Sequence, residues 1–300
     1  MPFRALQLSP KVLHAIQEAG YTEPTPIHLA AIPEVMAGHD VIGIAQTGTG
    51  KTAAFVLPIL TKLMAGNTQR RGMRALIVAP TRELVVQIEE NVRAYAKHSP
   101  LRMATIYGGV SERPQIEALR SGVELVVATP GRLIDLMQQR QTNFSGIQFL
   151  VLDEADRMLD MGFLPQIRQI VKALPKNRQT LMFSASLSRE IEKLTYEFQR
   201  SPKLIEIGRR ANPADTVTQF VYEVSPHLKP ALLLHLLADA RFDTVLVFTR
   251  TKRGADKIAC KLAAGGITTG TIHSNRSQNQ QLRALKDFNW RCIRQYDAER

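Results

Sequence analysis

Six short, almost purely apolar runs punctuate the first two-thirds of the chain: DVIGIA (40–45), ALIVAP (75–80), ATIYGG (104–109), ELVVATP (124–130), FLVLDEAD (149–156) and TLMFSAS (180–186). A strand with one wet face alternates apolar and polar residues, so runs without that alternation must be covered on both faces. Between them lie amphipathic stretches of helical period, among them TRELVVQIEENVRAYAKHS (81–99) and LPQIRQIVKAL (164–174). This alternation predicts a doubly wound α/β domain with a mainly parallel sheet over residues 1–207. A polar, Pro-containing linker follows at 208–215. A second βα rhythm then resumes over 216–288 with TQFVYEV (218–224), TVLVFTR (244–250) and GTIHS (270–274). These three strands make only a partial domain, and residues 289–300 form a tail without the preceding order.

Composition removes several classes. A 300-residue chain with 44% hydrophobic content has enough apolar surface for two ordinary cores, which excludes a disordered or fibrous protein. The excess of 39 Lys and Arg over 27 Asp and Glu gives +12 and favours polyanionic partners. The start, MPFRALQLSPK, has no basic segment leading into an apolar run, and no stretch reaches the ~18 apolar residues of a membrane span. Export and membrane insertion are not expected. Cys260 and Cys292 stand apart, with no CxxC and no clustered His in the sequence, so neither a disulfide framework nor a zinc site is indicated, and a reducing cytoplasm suits the chain.

Chemistry begins at AQTGTGKT, where Ala45, Gln46, Thr47, Gly48, Thr49, Gly50, Lys51 and Thr52 follow a strand and open a helix. Glycines let backbone N–H groups turn onto phosphates, Lys51 reaches the β and γ groups, and the Thr52 hydroxyl can ligate Mg²⁺. Ala45 stands where the general pattern has its first Gly, so a chance loop of this composition is the alternative. After FLVL, Asp153 and Glu154 emerge at the C-terminal end of a strand, where parallel sheets present ligand groups. Asp153 can hold the metal and Glu154 can deprotonate an attacking water. Acidic residues there also cap helices. Together the two elements describe a nucleoside triphosphatase site.

Seen with PTREL (80–84), Gly108-Gly109, TPGR (129–132), RMLDMGF (157–163) and VFTRTK (247–252), the DEAD sequence at 153–156 resembles that of DEAD-box RNA helicases, in the flavour of the bacterial RhlE-type group. The resemblance implies two RecA-like domains that close on ATP and Mg²⁺, with residues 1–29 as the adenine-binding segment. It implies an RNA track made by Pro80, Thr81, Arg82, Gly108, Gly109, Thr129, Pro130, Gly131 and Arg132, and a coupling motif at Ser184 and Ser186. Arginines and threonines there suit phosphates and read no base edge, so binding to single strands or duplex ends without sequence preference is expected. PTREL and TPGR are also ordinary helix starts, with Pro and a Thr cap. Ribosome-assembly or RNA-decay partners and a monomeric state follow from the resemblance alone.

Departures accompany the matches. The family's GYxxPTPIQ is here GYTEPTPIH (20–28), so His28 replaces the glutamine that recognises adenine. An amide offers donor and acceptor side by side, whereas imidazole nitrogens diverge, so His28 is expected to make one base contact or to face solvent or the next helix. Tyr21 is expected to pack on the base, and Phe3 stands near where the family keeps an aromatic. Ser186 replaces the Thr of Ser-Ala-Thr, Ser274 the Gly of IHG, and Gln281 the Arg of SQxxR. The family's ATDxAxRGxD and HRxGRxxR motifs are absent after Phe288. A frameshift or premature ending is the expectation, with a sheet edge left open and turnover impaired. Alternatives are a non-enzymatic RecA-like binder of RNA or protein, and a transport or metabolic P-loop ATPase, for which no LSGGQ-like signature exists.

Overall fold

The computed structural model describes residues 2–66, 72–207, 218–239, 242, 244–289 and 295–299. The chain divides into two units, Met1–Ala211 and Asn212–Arg300. The first runs α1 (Pro10–Glu18), α2 (Pro26–Ala37), β1 (Val41–Ile44), α3 (Lys51–Ala65), β2 (Ala75–Val78), α4 (Arg82–Tyr95), β3 (Met103–Ile106), α5 (Arg113–Arg120), β4 (Leu125–Ala128), α6 (Pro130–Gln138), β5 (Phe149–Leu152), α7 (Ala155–Asp160), α8 (Leu164–Ala173), β6 (Gln179–Ser184), α9 (Arg189–Phe198) and β7 (Lys203–Glu206). Its sheet has the order β3-β4-β2-β5-β6-β1-β7, every pair parallel.

The two-period of a strand explains why the apolar runs are continuous. Ile77, Val127, Val151 and Leu181 pack on one face with Val12, Ile16 and Ile32 of α1 and α2, Phe55 of α3 and Ile88 of α4. Their neighbours Leu76, Val126, Leu150 and Met182 point the other way, onto Leu133, Ile167, Ile170 and Leu194 of α6, α8 and α9. Each such fully buried side chain contributes about 1.5–3 kcal/mol. Helix α4 buries Val85, Ile88, Val92 and Tyr95, one stripe at helical spacing. Gly43 in β1 lies under the Phe183 ring: a Cβ there would sit 2.5 Å from Phe183 Cδ1.

One strand of this sheet went unread. The β7 sequence KLIE buries only Ile205, the signature of an edge, and carries no apolar run. Its position depends on distant groups: Asp40 accepts the N–H of Thr180 and of Arg200, both at 2.7 Å, and Gln199 Nε2 donates to the carbonyls of Val41 and Thr180.

The second unit contains α10 (Lys229–Leu237), β8 (Val245–Thr249), α11 (Lys252–Ala264), β9 (Thr269–Ile272), α12 (Gln278–Asn289) and β10 (Gln295–Glu299). Two expectations need correction. TQFVYEV (218–224) forms no strand, and Val221 is 97% exposed: strand propensity yields a strand only where a ladder partner is in reach. The tail, read as unable to make a strand, does make one. β10 lies between β8 and β9, parallel to both, with Gln295 opposite Val245 and Thr269. Two facing edges offer hydrogen bonds to any extended backbone, so an apolar sequence is not required, and the expected open edge at that place is filled. The 208–215 linker lies outside the described residues.

Candidate active site

Apart from Tyr21 and His28, which precede β1, the sequence-derived sites of the first unit fall at the C-terminal ends of strands. The order of the strands sorts them. Loops after β1, β5 and β6 carry the phosphate-loop pattern, Asp153-Glu154 and Ser184–Ser186, whereas loops after β2, β3 and β4 carry PTREL, Gly108-Gly109 and TPGR. One half of the rim therefore suits a nucleotide and the other half a phosphodiester chain.

In the loop before α3, Gly48 and Gly50 take φ of 84° and 95°, which side chains resist. Thr49 Oγ1 closes the turn on the Gln46 carbonyl at 2.7 Å, and buried Lys51 donates its Nζ to the Ala45 carbonyl at 2.7 Å. Asp153 is buried beside it, and its Oδ1 accepts the Glu154 N–H at 3.0 Å. Burial pushes the Asp153 carboxyl up to about 7; the charges of Glu154 and Asp156 add to this, and the Lys51 ammonium opposes it. A buried carboxyl held near neutrality beside a lysine and a hydroxyl-bearing helix start is a donor set that fits a hard divalent cation. Thr52 and Asp153 are the residues that would hold it. Glu154 occupies the left-handed region at φ 51°, and its Oε2 accepts from Arg157 Nη1 at 3.1 Å. Such a conformation costs of order 1–3 kcal/mol and clusters at functional sites.

The last residue of the DEAD run reaches the coupling motif. Asp156 Oδ2 accepts from the backbone N–H groups of Ala185 and Ser186 at 3.1 Å each and from Ser186 Oγ at 3.2 Å. Ser184 is fully buried, and its Oγ accepts the Ser186 N–H at 3.4 Å.

His28 does something other than offer a free nitrogen to a base. Its ring is 1% exposed. Nδ1 accepts the Thr25 N–H at 3.0 Å, and Nε2 lies 2.9 Å from the Gly50 carbonyl, which can only accept. These partners select the neutral ring with its proton on Nε2. Thr25 Oγ1 adds a bond to the Thr49 carbonyl at 2.8 Å, so the N-terminal segment is clamped to the phosphate loop at two consecutive residues. Burial depresses the His28 pKa below the ordinary imidazole value, with the Gly50 carbonyl opposing. Phe3 packs on His28 and Tyr21, with ring centroids 5.5 and 6.2 Å away.

A cavity of about 270 Å³ opens beside Lys51, Thr52, Asp153 and Glu154 and runs to Tyr21. Its other wall is Leu84, the last residue of PTREL, with Gln87, Asn91 and Tyr95 of α4, which no motif flagged. Their spacing on one helix face was the available signal. The Tyr21 and Tyr95 hydroxyls share a hydrogen bond, and Tyr95 Oη reaches Asn91 Oδ1 at 3.5 Å. Burial, then the bond from Tyr21, raises the Tyr95 phenol pKa.

On the other half of the rim, the Arg82 guanidinium lies across the double glycine. A Cβ at Gly109, whose φ is 79°, would fall 2.0 Å from Arg82 Nη1, and one at Gly108 would fall 3.4 Å from Nη2. Arg132 Nη1 and Nη2 donate to the Val110 carbonyl at 3.3 Å, which ties TPGR to the same loop. Thr81 is a working helix cap, accepting the Leu84 N–H, while Thr129, at the start of α6, makes no side-chain cap bond. Pro80 follows β2, and Pro130 and Gly131 open α6 after β4.

The profile of the DEAD/DEAH box helicase family matches residues 25–194, and that of the helicase conserved C-terminal domain matches residues 228–296. The DEAD-box ATP-dependent RNA helicase CshA of Streptococcus pneumoniae is 41% identical over 288 residues, covering 96% of this chain and 54% of that protein. DEAD-box ATP-dependent RNA helicase 30 of Arabidopsis thaliana is 43% identical over 292 residues, covering 95% and 49%. The chain thus spans about half the length of the curated relatives it matches. Among solved structures, a DEAD box protein from Methanococcus jannaschii superposes with TM-score 0.65 at 34% identity, covering all of this chain and 80% of that one. Saccharomyces cerevisiae Dbp5 bound to RNA and ADP BeF3 superposes with TM-score 0.86 at 26% identity, covering 99% and 75%. Among the described residues no helix is long and apolar enough to cross a membrane.

Proposed function

Because the chain belongs to the DEAD/DEAH box helicase family and has its parallel-sheet, RecA-like fold, we propose that it acts as an ATP-dependent RNA helicase. It binds RNA without reading sequence and couples that binding to ATP hydrolysis. The strand order carries this reading: it gathers phosphate-loop, acidic and coupling residues on β1, β5 and β6, and cationic and glycine loops on β2, β3 and β4. Lys51 and the loop N–H groups hold the β- and γ-phosphates. When bound by Thr52 and Asp153, Mg²⁺ neutralises phosphate charge. Glu154 orients a water and takes its proton as the oxygen attacks the γ-phosphorus and the bond to the ADP oxygen breaks. Asp156 carries a change at Glu154 to Ser186. The RhlE-type grouping is supported by the motif set, a cytoplasmic site by cysteine usage, and a monomer with ribosome-assembly or RNA-decay partners by resemblance.

Steady-state ATPase activity with and without single-stranded RNA tests the proposal. RNA should stimulate turnover, and Glu154→Gln should lower it by about 10²–10⁴ while RNA still binds. RNA binding with no stimulated turnover in the unaltered chain would replace the helicase reading with that of a binding module.

A further inference from the structure

On the side of the first unit where α1 meets the end of α4, three ligand-bearing side chains converge that the sequence separates. His14 and Glu18 stand one turn apart on α1, with His14 Nε2 3.6 Å from Glu18 Oε1. His98, just beyond α4, places its Nε2 3.2 Å from Glu18 Oε2. The three ligand atoms lie within 4.8 Å of one another, and the two imidazoles stack with centroids 4.4 Å apart at 26°. We propose that His14, Glu18 and His98 form a binding site for a divalent first-row transition-metal ion of zinc-like chemistry, which fastens α1 to the end of α4.

The donor set points to that class of ion. Two imidazoles and one carboxylate suit zinc and its neighbours, whereas magnesium and calcium take oxygen ligands. Bonds of about 2.0–2.1 Å in a tetrahedron put ligand atoms roughly 3.3 Å apart, a separation bracketed by the two distances to Glu18. The frame exists before the ion arrives: α1 is anchored by buried Val12 and Ile16. All three side chains are partly open to solvent, so an ion can reach them, and three protein ligands leave a position for water. The site has one competitor. Lys97 Nζ lies 2.7 Å from Glu18 Oε2 and must yield to the ion.

Zinc titration of the full chain by calorimetry, with thermal denaturation in parallel, tests the site. One ion per chain is expected, with a rise in Tm. His14→Ala and His98→Ala should each weaken binding at least roughly tenfold, since even outer-shell changes cost that much. Lys97→Gln should tighten binding by removing the competing ammonium. Cobalt in place of zinc should give a visible absorption band that the double variant His14→Ala/His98→Ala lacks. An equal zinc-induced Tm rise in the double variant, or no saturable binding below about 100 μM (roughly 5.5 kcal/mol), overturns the proposal. Should an alanine variant misfold, Lys97→Gln decides: unchanged or weaker zinc affinity overturns it.

Discussion

Lowering the pH should loosen the phosphate loop through one side chain, His28. The neutral ring accepts the Thr25 N–H on Nδ1 and donates from Nε2 to the Gly50 carbonyl. A second proton would go on Nδ1, whose one acceptor in reach is Thr25 Oγ1 at 3.1 Å, so the Thr25 N–H loses its partner and is left as a buried donor beside an N–H. Each unsatisfied buried group costs about 1–3 kcal/mol. Because the folded-state pKa is depressed below the unfolded value near 6.5, the stability that His28 contributes is fully present above about pH 6.5 and is lost as pH falls through the folded value. Its slope cannot exceed about 1.4 kcal/mol per pH unit for one proton. Urea denaturation and the Kd of a fluorescent ATP analogue, both followed from about pH 8 to about pH 5.5, measure it. Glutamine does not titrate, so His28→Gln should remove this component. Identical pH profiles for the parent and His28→Gln, in both stability and nucleotide affinity, would refute the argument.

Asp153, raised to about 7, should make Mg²⁺·ATP affinity climb as pH rises through that value, because only the carboxylate binds the cation; Kd measured at about pH 6 and about pH 8 should differ several-fold, and Asp153→Asn should abolish the difference. Gly43→Ala forces a Cβ to within 2.5 Å of the Phe183 ring and should cost about 1–3 kcal/mol in a urea midpoint measured at fixed m. Gly109→Ala would displace Arg82 from the double-glycine loop and strain a left-handed residue, and RNA affinity at low salt should fall several-fold with a shallower salt slope. Asp156→Asn keeps the size of the side chain but weakens an acceptor of three N–H and O–H groups at Ala185 and Ser186; RNA stimulation of ATP hydrolysis should drop while RNA-free turnover changes less.

What the sequence determined by itself was whatever neighbours along the chain decide. The apolar runs announced strands covered on both sides, because successive side chains of a strand point to opposite faces and a run apolar at every position must be buried on both. Gly48, Gly50, Lys51 and Thr52 announced a phosphate loop, since backbone turn and helix start are local properties. Tertiary structure decided the rest. The order of strands, which separates the two halves of the rim, arises from packing helices on both faces. β7 has a place because Asp40 and Gln199 bind its surroundings, and β10 because two facing edges satisfy any extended backbone. His28 read as a base contact because its sequence neighbours matched an adenine motif. Its Nδ1 instead pairs with Thr25, and its Nε2 meets the Gly50 carbonyl, a group brought beside it only when α2 packs against α3 and one that no sequence spacing announces.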